Sequence, residues 1–378
     1  MKVVKCFFNF CIFLISFLIP KSNKYIIVGG WHGERFADNS KAIYEYLDLK
    51  KNELGIKKVF WYTKNKDIYN ELKSKNKDVI YGYKLSSIYW HFRSKTHIID
   101  QSTRDIIGIL SVRCNRIDLW HGIPLKKIGN YIHGENASNW KDKFYTAGCW
   151  PDKYVLAPSE YVAQMLKYAM GIKENKLIIA SYPRNEKLYN VKPNTTGEEM
   201  NVFYLPTFRD SGDINPLLAY NLKKIDKMLS DNNIKLYIKP HFASAADWEV
   251  ADCLDRIEIL DAKEDVYMWL DKMDILITDY SSVYFDYLLT GRPVLFFPYD
   301  YTNYSDVERG FTMPYMDNTP GEKVYTVDEL LKTITEIKSN YTEYIDKYKM
   351  NYEETNNKVN KFTEGPNYDE LIKVICCR

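Results

Sequence analysis

His121 lies in the run DLWHGIPLKKIG, residues 118–129, where an apolar β-rich stretch gives way to Gly122 and Pro124, which disfavour regular continuation. A histidine at such a strand end points toward the ligand edge of a sheet. Imidazole is the side chain whose unperturbed pKa lies near neutrality, so a histidine here could take a proton from an attacking hydroxyl. Spacing alone leaves two roles open to it, a general base or a histidine satisfied by its neighbours. Three more strand ends carry polar groups. LPTFRD, residues 205–210, offers Arg209, whose planar fork suits phosphate oxygens or, equally, a local ion pair with Asp210. KPH, residues 239–241, supplies a cation in Lys239 and an imidazole in His241, which taken alone read more readily as structural groups than as ligand-binding ones.

ITDYSSVYFDYLLTGRPVLFFPYD, residues 277–300, runs from a strand into a helix that Ser281 or Ser282 should cap. A helix start leaves free N–H groups and a positive dipole end, which suit an anion, so capping and phosphate binding are compatible. Asp286, one turn on, either accepts a ribose hydroxyl or is a solvated helix carboxylate. Thr207 and Asp279 share these strand-end segments and join the substrate-binding candidates. Jointly, these groups describe a diphosphate pocket better than any one of them. GGWHG, residues 29–33, follows the first strand but lacks the spacing of a dinucleotide-binding glycine loop and reads as a tight turn.

These strand ends need an α/β framework. Short β-rich runs at 24–28, 59–62, 78–81, 96–99, 117–120, 154–157 and 177–180 alternate with helical periodicity over 39–50, 67–75, 85–94 and 159–170. Asp38 and Asn39 are N-cap candidates for the first helix. A polar stretch from Pro183 to Met200 reads as a linker. A second series follows, with strands at 201–205, 235–239, 257–260, 275–278 and 293–297 and helices at 216–229, 266–271, 282–289 and 327–338. Alternation of this kind means mostly parallel sheets with helices on both faces. The expected organisation is an apolar helix over 1–22, a Rossmann-like acceptor domain over 23–195, a Rossmann-like nucleotide-donor domain over 196–345 and a helical tail over 346–378. Ligands of such sheets sit at the carboxyl ends of strands, which puts the expected chemistry in a cleft between the two domains.

Composition narrows the classes. The 378 residues are 46% hydrophobic and 27% charged, enough to build cores, and 52 Lys+Arg against 50 Asp+Glu leave a net charge of +2. No global field favours nucleic acid. Seven scattered cysteines, none spaced C-x-x-C, suggest neither a disulfide frame nor a zinc site. No D-x-D pair stands at a strand end, so no cofactor is expected, and a bound Mg²⁺, though compatible with the chemistry, has no support in the sequence. Residues 6–19 are apolar apart from Asn9 and Ser16 and are flanked by Lys2, Lys5, Lys21 and Lys24. Fourteen helical residues reach about 21 Å, short of the roughly 30 Å of hydrocarbon, so the expectation is an interfacial anchor rather than a span.

The motifs at 118–129, 205–210, 239–241 and 277–300, with GGWHGERFADNSKAIYEYL upstream and ERGF at 308–311, resemble the CDP-glycerol glycerophosphotransferase family of teichoic acid polymerases, primases and related capsule enzymes. The resemblance covers nearly the whole chain. It implies a GT-B architecture and transfer of glycerol phosphate or ribitol phosphate from a CDP-alditol to a hydroxyl of a lipid-linked or polymeric acceptor at the cytoplasmic membrane face. It also implies that His121 and His241 are the family's two essential histidines, with Arg209, Ser281 and Ser282 on the phosphates. The reaction expected is in-line attack on the alditol-bearing phosphorus with CMP leaving, His121 taking the proton. Two other readings are a GT-B glycosyltransferase using a nucleotide sugar and a catalytically silent scaffold at the membrane surface.

Overall fold

Runs such as Ile275–Thr278 and Val294–Phe296 are buried at every position, which an apolar strand achieves only inside a sheet covered on both faces. The computed structural model describes residues 10–133, 152–191, 199–209, 215–241, 248, 254–302, 304 and 310–376. It separates into two compact units: residues 1–121, 129–186 and 366–378 form the first, and residues 122–128 and 187–365 the second.

Among the described residues, the first unit holds seven strands: β1 (Ser22–Val28), β2 (Lys58–Thr63), β3 (Val79–Tyr81), β4 (Ser94–Ile99), β5 (Asn115–Asp118), β6 (Asp152–Ala157) and β7 (Leu177–Ile179). They lie in the order β3-β2-β1-β4-β5-β6-β7, and every pair is parallel. The order reverses between β1 and β4, and the loops leaving these two strands form a topological switch point. Helices α1 (Asp38–Leu54), α2 (Lys66–Ser74), α3 (Leu85–Arg93) and α4 (Glu160–Met170) connect the strands. Ile27, Phe60, Tyr62, Ile80 and Ile99 form part of one core, against which Ile12 packs from the N-terminal helical segment.

The second unit holds β8 (Met200–Leu205), β9 (Ile234–Ile238), β10 (Ile257–Ile259), β11 (Ile275–Thr278), β12 (Val294–Phe296) and β13 (Glu322–Lys323). All its pairs are parallel in the order β10-β9-β8-β11-β12-β13, which puts the switch point between β8 and β11. Around it lie α5 (Leu222–Asp231), α6 (Val283–Tyr287), α7 (Val327–Ser339) and α8 (Tyr341–Val359). Val202, Leu236, Ile275, Leu295 and Ile334 belong to its core. The closing helix, α9 (Asp369–Ile375), belongs to the first unit, where the Thr96 hydroxyl donates to the Ile375 carbonyl at 2.9 Å.

Several expectations needed correction. Residues 183–190 are not an open linker: Pro183–Asn190 forms helical turns, and the Arg184 guanidinium meets the Asp38 carboxylate at 2.7 Å with both side chains buried. Residues 192–198 of that stretch lie outside the described residues. The helix expected from 216 begins at Leu222, where the Asn221 side chain accepts from the Lys224 N–H. Neither Asp38 nor Asn39 caps α1. The cap position is Ala37, while Asp38 opens the helix at φ 64°.

Candidate functional site

In the first unit, β5 ends at Asp118, two residues before the expected end, and a tight turn carries His121. Trp120 in that turn adopts φ 57°, a left-handed conformation that bulky residues rarely take. Three bonds hold it. The Leu119 N–H donates to the Ile99 carbonyl at 2.7 Å, the Trp120 N–H to Asp118 Oδ1 at 3.2 Å, and Asn39 Nδ2 to the Trp120 carbonyl at 2.9 Å. The His121 side chain is exposed, its ring lies 4.1 Å from that of Trp120, and Nδ1 is 3.3 Å from the Asp100 carbonyl. A carbonyl can only accept, so Nδ1 carries a proton, and in the neutral ring Nε2 then holds the lone pair.

Around this turn the carboxyl edge of the sheet is unusually acidic. Asp100 is fully buried and accepts from the Ser40 hydroxyl at 2.6 Å and the Trp31 N–H at 3.3 Å. Burial, with Asp38 and Asp105 nearby, pushes its carboxyl well above the ordinary range. Burial also raises Asp118, partly offset by Lys153. Asp105 accepts from the N–H groups of His32, Asp100, Gln101 and Ser102. The GGWHG loop is the tight turn its spacing indicated: a Cβ on Gly29 would stand 2.2 Å from the Asp105 carbonyl oxygen, and one on Gly30 2.1 Å from Ser40 Oγ.

In the second unit the loops leaving β8 and β11 meet at the switch point, and Arg209 joins them. Its Nε donates to Asp300 Oδ2 at 2.6 Å. Its Nη2 reaches Asp279 Oδ2 at 2.8 Å and Asp300 Oδ1 at 3.1 Å. Its Nη1 reaches the Thr207 carbonyl at 2.8 Å and hydroxyl at 2.6 Å. All five guanidinium donors are thus used. The expectation of a fork turned to phosphate, or paired with Asp210, gives way to a buried clamp on Asp279 and Asp300; Asp210 itself lies outside the described residues. Burial opposes the charge, but the two carboxylates outweigh it and hold the guanidinium pKa above its ordinary value. Tyr280, Tyr299 and Tyr304 rings each lie 5.0 Å from the guanidinium carbon.

Asp279 is saturated as well, accepting from the N–H groups of Thr207 and Tyr280. It therefore organises the loops rather than offering itself to a ligand. Asp286 is 1% exposed and accepts the Tyr267 hydroxyl at 2.6 Å, so the ribose-binding expectation fails for lack of access. Ser281 and Ser282 are half-buried. Ser282 occupies the cap position without a side-chain bond, and Ser281 Oγ accepts from the Val283 N–H at 3.4 Å. The α-helix that follows has five residues, so its dipole is smaller than the sequence suggested. His241 is exposed, with its ring stacked 5.8 Å from Phe208, and half-buried Lys239 donates to the Ala262 carbonyl at 2.9 Å.

The predicted residues of this unit therefore divide in two. Thr207, Arg209 and Asp279 are bonded together as a scaffold, while His241, Ser281, Ser282 and part of Lys239 keep accessible surface. Sequence reasoning missed Asn39, Ser40, Asp100 and Asp300 as parts of the two sites. It also missed that residues 122–128, directly after His121, are built into the second unit by an antiparallel bridge between Lys126 and Phe311 and by the Thr312 N–H on the Leu125 carbonyl. Among the described residues no three His, Cys, Asp or Glu side chains come together as metal ligands.

The family model described as CDP-Glycerol:Poly(glycerophosphate) glycerophosphotransferase matches residues 11–376. The teichoic acid glycerol-phosphate transferase of Staphylococcus aureus is 28% identical over 352 residues, which are 87% of this chain and 87% of that one. The teichoic acid poly(glycerol phosphate) polymerase of Bacillus spizizenii is 26% identical over 375 residues, covering 89% of this chain and 91% of its own. A structure of the wall teichoic acid polymerase TagF superposes with a TM-score of 0.73 over 94% of this chain and 89% of the other, at 22% identity, a likeness of fold. Matched along almost its full length and carrying its motifs at the ligand edges of two parallel sheets, the chain belongs to the CDP-glycerol:poly(glycerophosphate) glycerophosphotransferase family.

Proposed function

We propose that this protein is a GT-B-type transferase that moves glycerol phosphate, or ribitol phosphate, from a CDP-alditol to a hydroxyl of a lipid-linked or polymeric acceptor. The acceptor oxygen attacks the phosphorus that bears the alditol, a P–O bond forms, the bond to the CMP phosphate breaks, and CMP leaves. His121 takes the hydroxyl proton at Nε2, the nitrogen left free by the Nδ1 contact with the Asp100 carbonyl. His241, Lys239 and the Ser281–Ser282 turn bind the diphosphate and balance its growing charge, which is most of what phosphoryl transfer asks of a protein. Arg209 acts one step back, fixing the loops through Asp279 and Asp300.

The observation that carries this reading is the family match over residues 11–376, with both motif histidines exposed just beyond strand ends. Its test is product analysis by mass spectrometry with CDP-glycerol, CDP-ribitol and UDP-sugars, each offered with a glycerol-phosphate-primed lipid. A new phosphodiester with CMP release is expected. Release of UDP or UMP from a nucleotide sugar, with none of CMP, would make the protein a glycosyltransferase instead.

The same reading places the protein peripherally on the cytoplasmic membrane face. Among the described residues no helix is long and apolar enough to cross a membrane. Ile12 packs inward, while Phe10, Leu14, Phe17 and Leu18 are exposed, an apolar surface suited to a bilayer interface. Residues 6–9 of the expected anchor lie outside the described residues.

A further inference from the structure

We propose that Asn39 is a positioning residue for His121, and that the first turn of α1 is a bracket holding the imidazole in its working orientation and tautomer. This rests on the reading of His121 as the base. Asn39 is fully buried, and both ends of its amide are used: Nδ2 donates to the Trp120 carbonyl at 2.9 Å, and Oδ1 accepts from the Arg184 N–H at 3.2 Å. The first bond falls on the residue that needs it, since Trp120 is held at φ 57° immediately before His121. The next residue, Ser40, works on the other side of the ring. Its hydroxyl donates to the Asp100 carboxylate at 2.6 Å, and the Asp100 carbonyl is the group facing His121 Nδ1. Asp38 completes the set by binding the Arg184 guanidinium at 2.7 Å. Three consecutive buried polar side chains thus fix the backbone before the histidine and the carbonyl beneath its ring.

No hydrogen bond joins Asn39 or Ser40 to the His121 ring in this geometry, so each acts through orientation. A base misplaced by a fraction of its hydrogen-bond length loses rate without losing donor affinity.

The variant that separates this role from simple packing is Asn39→Asp. It keeps the shape and the acceptor for the Arg184 N–H, but when ionised its carboxylate has no proton for the Trp120 carbonyl. In the full chain, with CDP-glycerol and a glycerol-phosphate-primed lipid, kcat should fall about tenfold or more. The KM for CDP-glycerol should stay within about twofold. Nitrogen-15 spectra of the histidine rings should show His121 as the Nδ1–H tautomer in the native protein and as a mixture in the variant. Ser40→Ala tests the other arm of the bracket should Asn39→Asp not fold, and the same split is expected. Wild-type kcat in both variants, beside an inactive His121→Ala, would overturn the bracket while leaving the base intact. An active His121→Ala would remove the base itself and the bracket with it.

Discussion

Arg209 shows how a motif residue can be necessary without touching a ligand. Its five donors end on Asp279, Asp300 and Thr207 inside the protein. Removing it would leave two carboxylates facing each other in a poorly solvated site. Arg209→Ala should therefore cost about 3–5 kcal/mol in urea unfolding, the penalty for orphaning buried charge. Arg209→Lys should recover only part of it, because an ammonium cannot span both carboxylates. Full stability of Arg209→Ala, with weaker CDP-glycerol binding alone, would return the residue to the phosphate. The motif announced an arginine but not its partners, which lie 70 and 91 residues further along the chain. Asp286 misled for the same reason: helical periodicity gives its position, whereas its burial against Tyr267 depends on how distant segments pack.

At the scale of elements, the turn between β1 and α1 is where glycine has a specific task. Gly30 has an ordinary extended backbone at φ −150°, so only space matters there, and a Cβ would stand 2.1 Å from Ser40 Oγ and 2.7 Å from Asp100 Oδ2. Gly30→Ala should cost about 1–3 kcal/mol, as overpacking does. It should also slow turnover by disturbing the Ser40–Asp100 pair. Gly365→Ala, where a Cβ meets nothing within 4 Å, should change thermal stability by less than about 0.5 kcal/mol. Equal effects of the two would show that the turn is not close-packed. Most strands and crossover helices were legible because apolar runs and periodicity survive in the sequence; β11 lies where the residues indicated, at Ile275–Thr278. Two-residue β13 and the helical turns of Pro183–Asn190 were not, being fixed by pairing with β12 and by the Arg184–Asp38 ion pair.

Across the whole molecule, acid should act on the first unit through its buried histidines. Burial lowers His91 from 6.5 to about 4, and burial also holds His97 well below its ordinary value. The unfolded chain takes up these protons near pH 6.5 while the folded chain does not. Their contribution is therefore complete above that pH and falls as pH drops toward about 4, while the raised carboxyls of Asp100 and Asp118 act in the opposite direction. For His91 the loss amounts to about 3 kcal/mol. Urea midpoints measured from pH 7 to pH 4 should fall less in His91→Gln than in the native protein; the same pH dependence in both would mean that His91 is not buried neutral. Association with membranes belongs to this scale too. The chain should sediment with anionic vesicles, and Phe17→Asp with Leu18→Asp should release it, because both side chains are exposed and apolar. Unchanged sedimentation would move the contact elsewhere. The decisive measurement is single-turnover CMP formation from CDP-glycerol by the native protein and by His121→Ala, with donor binding followed by calorimetry. A fall of about 10²–10⁴ in rate at unchanged donor affinity is the predicted result, and an unchanged rate would contradict the assignment of His121 as the base.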